Sequence, residues 1–182
     1  AELERLFPGK FYVTEDRDFS DYIYDAEKLA SLAGKKLHAK RNFINRFEAA
    51  HEWRFEPLEK RHFPACRALL ERWDAAAPED EKVSVRAEHR AIFRGLDNYD
   101  ELGLIGGALF AEGEIIAFSI GERISGDTVD VHFEKAIAEI DGAYPMINRE
   151  FSRHVLECYP QVKYLNREDD MGLDSLRRSK LS

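Results

Sequence analysis

Apolar residues recur along this chain with two different periods, which separates predicted helices from predicted strands. Helical spacing covers residues 25–33, 35–50, 63–76, 84–98 and 144–158 and the segment from residue 173 onward. Strand-like runs cover residues 11–13, 53–57, 104–111, 115–121, 128–140 and 162–165. This order predicts an α/β fold in which helices cover a mixed, mainly antiparallel sheet.

Short turn sequences separate several of these elements. Glu112-Gly113 lies between two apolar strand-like runs and predicts a two-residue hairpin. Gly34 separates the first two helices, and Pro78-Glu79-Asp80 separates the two that follow the second strand. We therefore expect consecutive strands to pair directly in the middle of the chain.

Two stretches, one near each end of the chain, read alike. Residues 29–37 and 173–181 share Leu, Ser, Leu, Lys and Leu at the same spacings, and each follows a strand-like run that ends in an acidic pair. Such a self-match indicates a duplicated unit, although chance identity among common residues gives the same pattern. The order of the predicted helices and strands also resembles that of the GNAT acyltransferase fold. Duplication would then make residues 1–52 the end of one GNAT-like unit and residues 53–182 a second unit.

The composition limits the classes of protein to which this chain can belong. The 182 residues carry a net charge of −8, which argues against coating nucleic acid but leaves room for a local basic patch. Cys66 and Cys158 lack metal-ligand spacing, as expected of a reduced intracellular chain. No apolar run reaches the ~20 residues that span a bilayer. We expect a cytoplasmic location and no integral membrane segment.

The strand at residues 128–140 is the first candidate for chemistry. Val129, Val131, Phe133 and Ile137 alternate onto one face, and Asp130, His132 and Glu134 onto the other. A row of titratable groups could supply a general base, although a solvated sheet face shows the same alternation. A metal site is disfavoured because side chains two apart on a strand are ~6.6 Å apart.

The turn Asp141-Gly142-Ala143 before the helix at residue 144 is the second candidate, because a helix N-terminus favours an anion. CoA-dependent enzymes of the GNAT acyltransferase fold carry a glycine-rich, Arg-containing loop at this position. Here Tyr144-Pro145 replaces the expected glycines. We therefore expect no CoA and no other cofactor.

A basic face on the helix at residues 35–50 is the third candidate. At 100° per residue it gathers Lys35, His38, Arg41, Asn42, Asn45 and Arg46, while Lys40 falls within the apolar arc. Such a face suits phosphate or RNA contacts, but charged helix faces are most often simply solvated. The run at residues 166–172 is the fourth candidate, because it follows a strand end where α/β sheets place ligand groups.

Three blocks together resemble a known family: residues 21–47, with Lys40-Arg41-Asn42; residues 130–151, with Glu134-Lys135-Ala136 and Asn148-Arg149-Glu150; and residues 164–182, with Asn166-Arg167-Glu168 and Lys180. They are similar to the C-terminal domain of phosphatidylglycerol lysyltransferases and its uncharacterised bacterial relatives. The resemblance implies a GNAT-like fold in tandem units. It also implies site residues at the matched positions, namely Lys40, Arg41, Asn42, Glu134, Asn148, Asn166, Arg167, Glu168 and Lys180.

Most members of the resembled family have no assigned substrate, but the phosphatidylglycerol lysyltransferases themselves move a lysyl group from charged tRNA to a lipid. The resemblance therefore implies an acyl- or aminoacyl-transferase, with tRNA or another anionic ligand as partner and a small-molecule or lipid acceptor. Two alternatives stay open on the sequence: a CoA-dependent N-acetyltransferase, and a noncatalytic domain that binds tRNA or a metabolite. Binding measurements with charged tRNA, uncharged tRNA and acetyl-CoA separate all three.

Overall fold

A computed structural model describes residues 2–76, 79 and 82–181. Within these residues the elements are, in order, α1 (Glu2–Leu6), β1 (Ile23–Asp25), α2 (Ala26–Ser31), α3 (His38–Ala50), β2 (Trp53–Pro57), α4 (Phe63–Ala76), α5 (Lys82–Asp97), β3 (Ile105–Ala111), β4 (Glu114–Arg123), β5 (Thr128–Ala136), α6 (Ala143–Cys158), β6 (Tyr164–Asn166) and α7 (Asp174–Leu181). Single turns of 3₁₀ helix lie at Arg17–Phe19, Lys35–Leu37 and Lys60–His62.

The strands form one six-stranded sheet in the order β1-β6-β5-β4-β3-β2. Every neighbouring pair is antiparallel except β5 and β6, which are parallel and are joined through α6, as a parallel connection requires. The predicted hairpin is confirmed: Glu112 and Gly113 both have positive φ, at 51° and 86°, and connect β3 to β4. The predicted mixed, mainly antiparallel sheet is therefore confirmed.

Helices cover both faces of the sheet. On one face α6 packs against α2 and α3, and side chains such as Phe47 and Met146 are buried against β3 and β4. On the other face Leu70 of α4 and Ile92 of α5 pack against Phe118 of β4. A third cluster joins α6 to the first part of β5. The three clusters form a helix–sheet–helix sandwich.

Two predicted strands differ from the structure. Residues 11–13 form no strand: Tyr12 is 92% exposed and Val13 is 79% exposed, and no sheet edge lies beside them. The edge strand is β1 instead, which pairs with β6. Strand β5 ends at Ala136, before the predicted end at residue 140. Of the predicted turn at residues 78–80, only Glu79 lies within the described residues.

A β-bulge in β5 corrects the predicted alternation. Ile120 of β4 pairs with Phe133, but the next residue, Gly121, pairs with Val131, so His132 is an extra residue in the ladder. As a result Val131 packs in the cluster with α6, whereas Phe133 packs against the α4/α5 cluster. Asp130, His132 and Glu134 therefore do not form one regular row on a single face.

No helix in the described part of the chain is both long enough and apolar enough to cross a bilayer.

Candidate active site

A cleft of about 610 Å³ opens beside β5, the start of α6, the β6–α7 loop and α7. Its lining includes His132, Glu134, Tyr144, Arg167, Glu168 and Lys180. A smaller cavity of about 70 Å³ shares Glu134, Tyr144 and Arg167 with the cleft and adds Lys40 and Asn148. Most of the residues predicted from the sequence therefore meet in one place.

Glu134 on β5 has a largely enclosed side chain that is 8% exposed. Arg167, from the residue after β6, donates to its Oε1 at 2.7 Å. Asn148 on α6 and Ser119 on β4 each donate to its Oε2 at 3.2 Å. These contacts give both oxygens of the enclosed carboxylate hydrogen-bond partners at the wall of both cavities.

Lys40 on α3 reaches the smaller cavity from the apolar arc of its helix. Burial lowers the pKa of its ammonium, and the positive charge of Arg167 lowers it further. A lysine that is half-buried next to an arginine concentrates positive charge in a confined space. This arrangement suits a carboxylate, a phosphate or a developing oxyanion.

Tyr144, in the first turn of α6, lines both cavities. Burial is the main cause that raises the pKa of its phenol to about 12. The hydroxyl therefore stays protonated at neutral pH and can donate to a ligand in the cleft.

His132 lies among carboxylates at the bulge of β5. Its Nδ1 is 3.0 Å from Glu168 Oε1, and its Nε2 is 3.2 Å from Glu122 Oε1. The hydrogen bond to Glu168 is the main cause that raises the pKa of His132 to about 9. The imidazole is therefore protonated at neutral pH, which removes the lone pair that the predicted general base needs. Burial raises the pKa of the neighbouring Asp130.

Asn166 and Lys180 hold the loop after β6. The Lys180 ammonium is buried and donates to the backbone carbonyls of Arg167, Glu168 and Asp169. The Asn166 amide donates to Asp21 at 2.8 Å, and its Oδ1 accepts from the Glu168 amide. The hydrogen bonds of both side chains therefore hold the loop that positions Arg167.

The outer face of α3 lies away from both cavities. Arg41 donates to the carbonyl oxygens of Leu32 and Gly34, where it ties the end of α2 to α3. Asn42 is exposed and lies 3.3 Å from His38 Nδ1, and Asn45 is exposed. Of the site residues predicted on this helix, only Lys40 lines one of the two cavities, the smaller one.

Gly142, before α6, has a packing role. Its φ is +87°, and a Cβ there would lie 2.8 Å from the Phe43 carbonyl oxygen and 2.9 Å from Phe47 Cβ. The glycine therefore allows close contact between α3 and α6. Asp141 beside it pairs with Arg46 at 2.8 Å. These contacts explain the turn sequence without a bound anion.

Sequence reasoning missed Ser119 and Tyr24. Ser119 is a polar residue in an otherwise apolar strand-like run. That isolated hydroxyl could have marked it as a site residue. Tyr24 lies in β1, where no strand was predicted, and its ring is 5.7 Å from the Arg167 guanidinium carbon. Its hydroxyl donates to the Lys180 carbonyl at 2.5 Å.

Comparison with known protein families identifies the chain. The sequence model described as phosphatidylglycerol lysyltransferase, C-terminal, matches residues 2–182. The chain belongs to this family. The resemblance inferred from the three sequence blocks is thereby confirmed. No curated protein matches the chain.

Solved structures show the same fold. A conserved protein of unknown function from Bacteroides thetaiotaomicron is 42% identical, with a TM-score of 0.91, and the match covers 99% of this chain and 60% of that one. The C-terminal domain of a putative lysylphosphatidylglycerol synthetase from Agrobacterium fabrum is 15% identical, with a TM-score of 0.51 over 83% of this chain and 46% of that one. L-PGS from Bacillus licheniformis is 13% identical, with a TM-score of 0.52 and the same coverage. These similarities confirm the GNAT-like fold, and the chain spans less than two thirds of each relative.

Proposed function

We propose that this domain transfers an acyl or aminoacyl group from an activated ester to an amine or hydroxyl in the cleft. The supporting observation is that Lys40, Glu134, Tyr144, Asn148 and Arg167 meet around one small cavity from α3, β5, α6 and the end of β6. Membership of the phosphatidylglycerol lysyltransferase C-terminal family supports the reaction class.

The contacts suggest a role for each group. The acceptor nitrogen or oxygen attacks the ester carbonyl carbon and forms the new bond, and its proton passes to Glu134. Arg167 and Lys40 stabilise the oxyanion of the tetrahedral intermediate. The ester C–O bond then breaks, and the leaving oxygen takes a proton from Tyr144, whose high pKa matches an alcohol. Asn148 and Ser119 hold Glu134 in place.

We infer that the donor is an aminoacyl-tRNA. The start of α6 has Tyr144-Pro145 where a pyrophosphate would need free backbone amides. A tRNA donor needs only its aminoacyl end in the cleft, since its phosphates can contact an outer surface. Lys35 and Lys36, in the 3₁₀ turn before α3, and His38, at the start of α3, are exposed and offer such a surface. The acceptor on this proposal is a lipid or a small molecule with a hydroxyl or amine.

Hydroxylamine can replace the unknown acceptor in a direct test. Purified protein is mixed with tRNA that carries a radiolabelled amino acid, and the hydroxamate formed above the uncatalysed background is measured. We expect Glu134→Gln to lower this rate at least 100-fold, in the range of a lost general base. Glu112→Gln, in the exposed hairpin, is the matched control.

Other outcomes would replace the proposal. Turnover of acetyl-CoA without tRNA would make the domain a CoA-dependent acetyltransferase. Tight tRNA binding with no transfer above background, unchanged in Glu134→Gln, would make it a binding domain.

A further inference from the structure

The bulge of β5 creates a second cluster of polar side chains at the edge of the cleft. In a regular strand, Asp130 and His132 would be ~6.6 Å apart along one face. At the bulge, Asp130 Oδ2 lies 4.0 Å from His132 Nδ1. The two side chains therefore converge in a way that the sequence spacing alone does not give.

A third side chain joins them from the loop after β6. Glu168 has a left-handed backbone, with φ at 54°, and its Oε1 lies 3.0 Å from His132 Nδ1. One donor atom each from Asp130, His132 and Glu168 lies within 4.8 Å of the others. Two ligands of one transition-metal ion are ~3 Å apart at a right angle and ~4 Å apart when opposite, for bonds of about 2.1 Å. Side-chain shifts of under ~1 Å would thus place all three on one ion.

The side chains themselves leave one atom unsatisfied. When both ring nitrogens of His132 are protonated, Nδ1 donates to Glu168 and Nε2 donates to Glu122. Asp130 Oδ1 is fully buried and has no hydrogen-bond partner among the residues that the structure describes. A buried carboxylate oxygen without a hydrogen-bond partner lowers the stability of the fold. A bound ion nearby is one explanation for such an atom. The cluster also carries three carboxylates around a single imidazole.

We propose that Asp130, His132 and Glu168 bind a divalent first-row transition-metal ion. The ion takes the place of the proton on His132 Nδ1, which is released to solvent, and it is bound by the Asp130 carboxylate, whose Oδ2 lies 4.0 Å from that nitrogen. A mixed set of one imidazole and two carboxylates favours Zn²⁺ or Mn²⁺ over Mg²⁺, because Mg²⁺ prefers oxygen ligands.

Three protein ligands leave at least one coordination position for water or a ligand. His132 and Glu168 line the cleft, so that position is accessible from it. The ion would also connect β5 to the loop that carries Arg167, since Glu168 is the next residue. This site does not depend on the transferase proposal, because binding is measured without a donor or acceptor.

Calorimetric titration of chelator-treated protein with ZnCl₂ and MnCl₂ tests the site. We expect one ion per chain, and at least 10-fold weaker binding in each of Asp130→Asn, His132→Gln and Glu168→Gln. His51→Gln is the matched control, because that histidine also pairs with a glutamate, in the hairpin region outside the cluster. Thermal melting of each metal-free variant shows whether it is folded.

Co²⁺ gives a second readout that does not depend on stability. Its visible absorption should change when it enters a site with a nitrogen ligand, and His132→Gln should remove that change. Absence of saturable Zn²⁺ and Mn²⁺ binding to the folded wild-type protein would overturn the proposal. So would binding that His132→Gln leaves unchanged, or Mg²⁺ binding of equal affinity, since neither would involve the imidazole.

Discussion

At the scale of single residues, the geometry of the site depends on the ion pair that Arg167 forms with the enclosed carboxylate of Glu134. Glu134 is 8% exposed and its partner Arg167 is 16% exposed, so water screens their interaction little. The family resemblance implies that Arg167 is a site residue. The ion pair gives Arg167 a structural role as well, because its removal leaves an unpaired buried charge.

We predict that Arg167→Met destabilises the fold by about 3 kcal/mol, as breaking a buried ion pair does. Glu134→Gln combined with Arg167→Met should recover most of that loss, because no buried charge is then left unpaired. Urea unfolding of the two single variants and the double variant measures the coupling. Additive losses would show that the two side chains do not depend on each other.

Replacing Lys40, unlike replacing Arg167, should weaken ligand binding without lowering the stability of the fold. Lys40→Met keeps the apolar stem and removes a cation whose pKa burial lowers, so we expect unchanged or slightly higher stability. Anionic ligands should bind about 10-fold more weakly, a loss of about 1.4 kcal/mol, as expected of one charged contact. Lys36→Met, at an exposed position, is the control. A large loss of thermal stability in Lys40→Met would mean that this lysine serves the fold instead.

At the scale of elements, the bulge between β4 and β5 decides which side chains reach the cleft. Gly121 lies opposite the extra residue, and a Cβ there would be 2.2 Å from the Asp130 carbonyl oxygen. No rearrangement of a flexible side chain can relieve that overlap, because the blocking atom belongs to the backbone. Glycine at this position therefore allows the irregular pairing.

We predict that Gly121→Ala lowers the melting temperature by several degrees, corresponding to about 2 kcal/mol for a domain of this size. Gly126→Ala is the matched control, because a Cβ there meets no atom within 4 Å. Near-ultraviolet circular dichroism should show altered aromatic packing in Gly121→Ala alone. Equal effects of the two substitutions would contradict the steric argument.

The connection between β6 and α7 depends on a buried aspartate. Asp170 accepts from both Nε and Nη2 of Arg177, at 2.8 and 2.9 Å, and from the Tyr22 hydroxyl at 2.5 Å. These contacts, with Arg177 the largest cause, hold the pKa of Asp170 well below its usual range. The group therefore stabilises the fold above pH ~4, and that contribution is lost as the pH falls further.

We predict that Asp170→Asn lowers the melting temperature at pH 7 and removes part of its dependence on pH below about 4. Asp169→Asn, one residue earlier and partly exposed, should leave that dependence unchanged. Thermal melts between pH 2.5 and 7 measure both effects. An identical acid profile in Asp170→Asn and the wild-type protein would refute the assignment.

The sequence predicted helices and strands well where a local pattern determines them. It predicted them poorly where pairing with a partner strand determines them. The Glu112-Gly113 hairpin and the long amphipathic helices follow from turn chemistry and apolar periodicity. Residues 11–13 and β1 differ only in whether β6 lies beside them, which no local pattern records. The bulge at His132 is likewise set by pairing with β4, so neither the partner Glu168 nor the position of Phe133 could be read from spacing.

At the scale of the whole molecule, the segment from β1 to α3 is part of the same folded body as the later elements. Strand β1 extends the sheet beside β6, and Leu32, Ile44 and Phe47 are buried in a core cluster with side chains of β3, β4 and α6. The division at residue 52 into two ancestral units stays a prediction, because packing does not record ancestry.

The donor can be identified from the response of the whole protein to salt. With a net charge of −8, tRNA binding must rely on a local basic surface, and releasing counterions there makes affinity fall steeply with ionic strength. Pro145 removes one backbone amide at the start of α6, so a CoA pyrophosphate should bind poorly.

We predict that charged tRNA binds in a salt-dependent way and that the double variant Lys35→Glu with Lys36→Glu binds it more weakly. We also predict that acetyl-CoA causes no thermal shift. The matched control replaces Lys163, an exposed lysine before β6, with Glu. A saturable thermal shift with micromolar acetyl-CoA, independent of tRNA, would overturn the proposed donor and leave the fold unaffected.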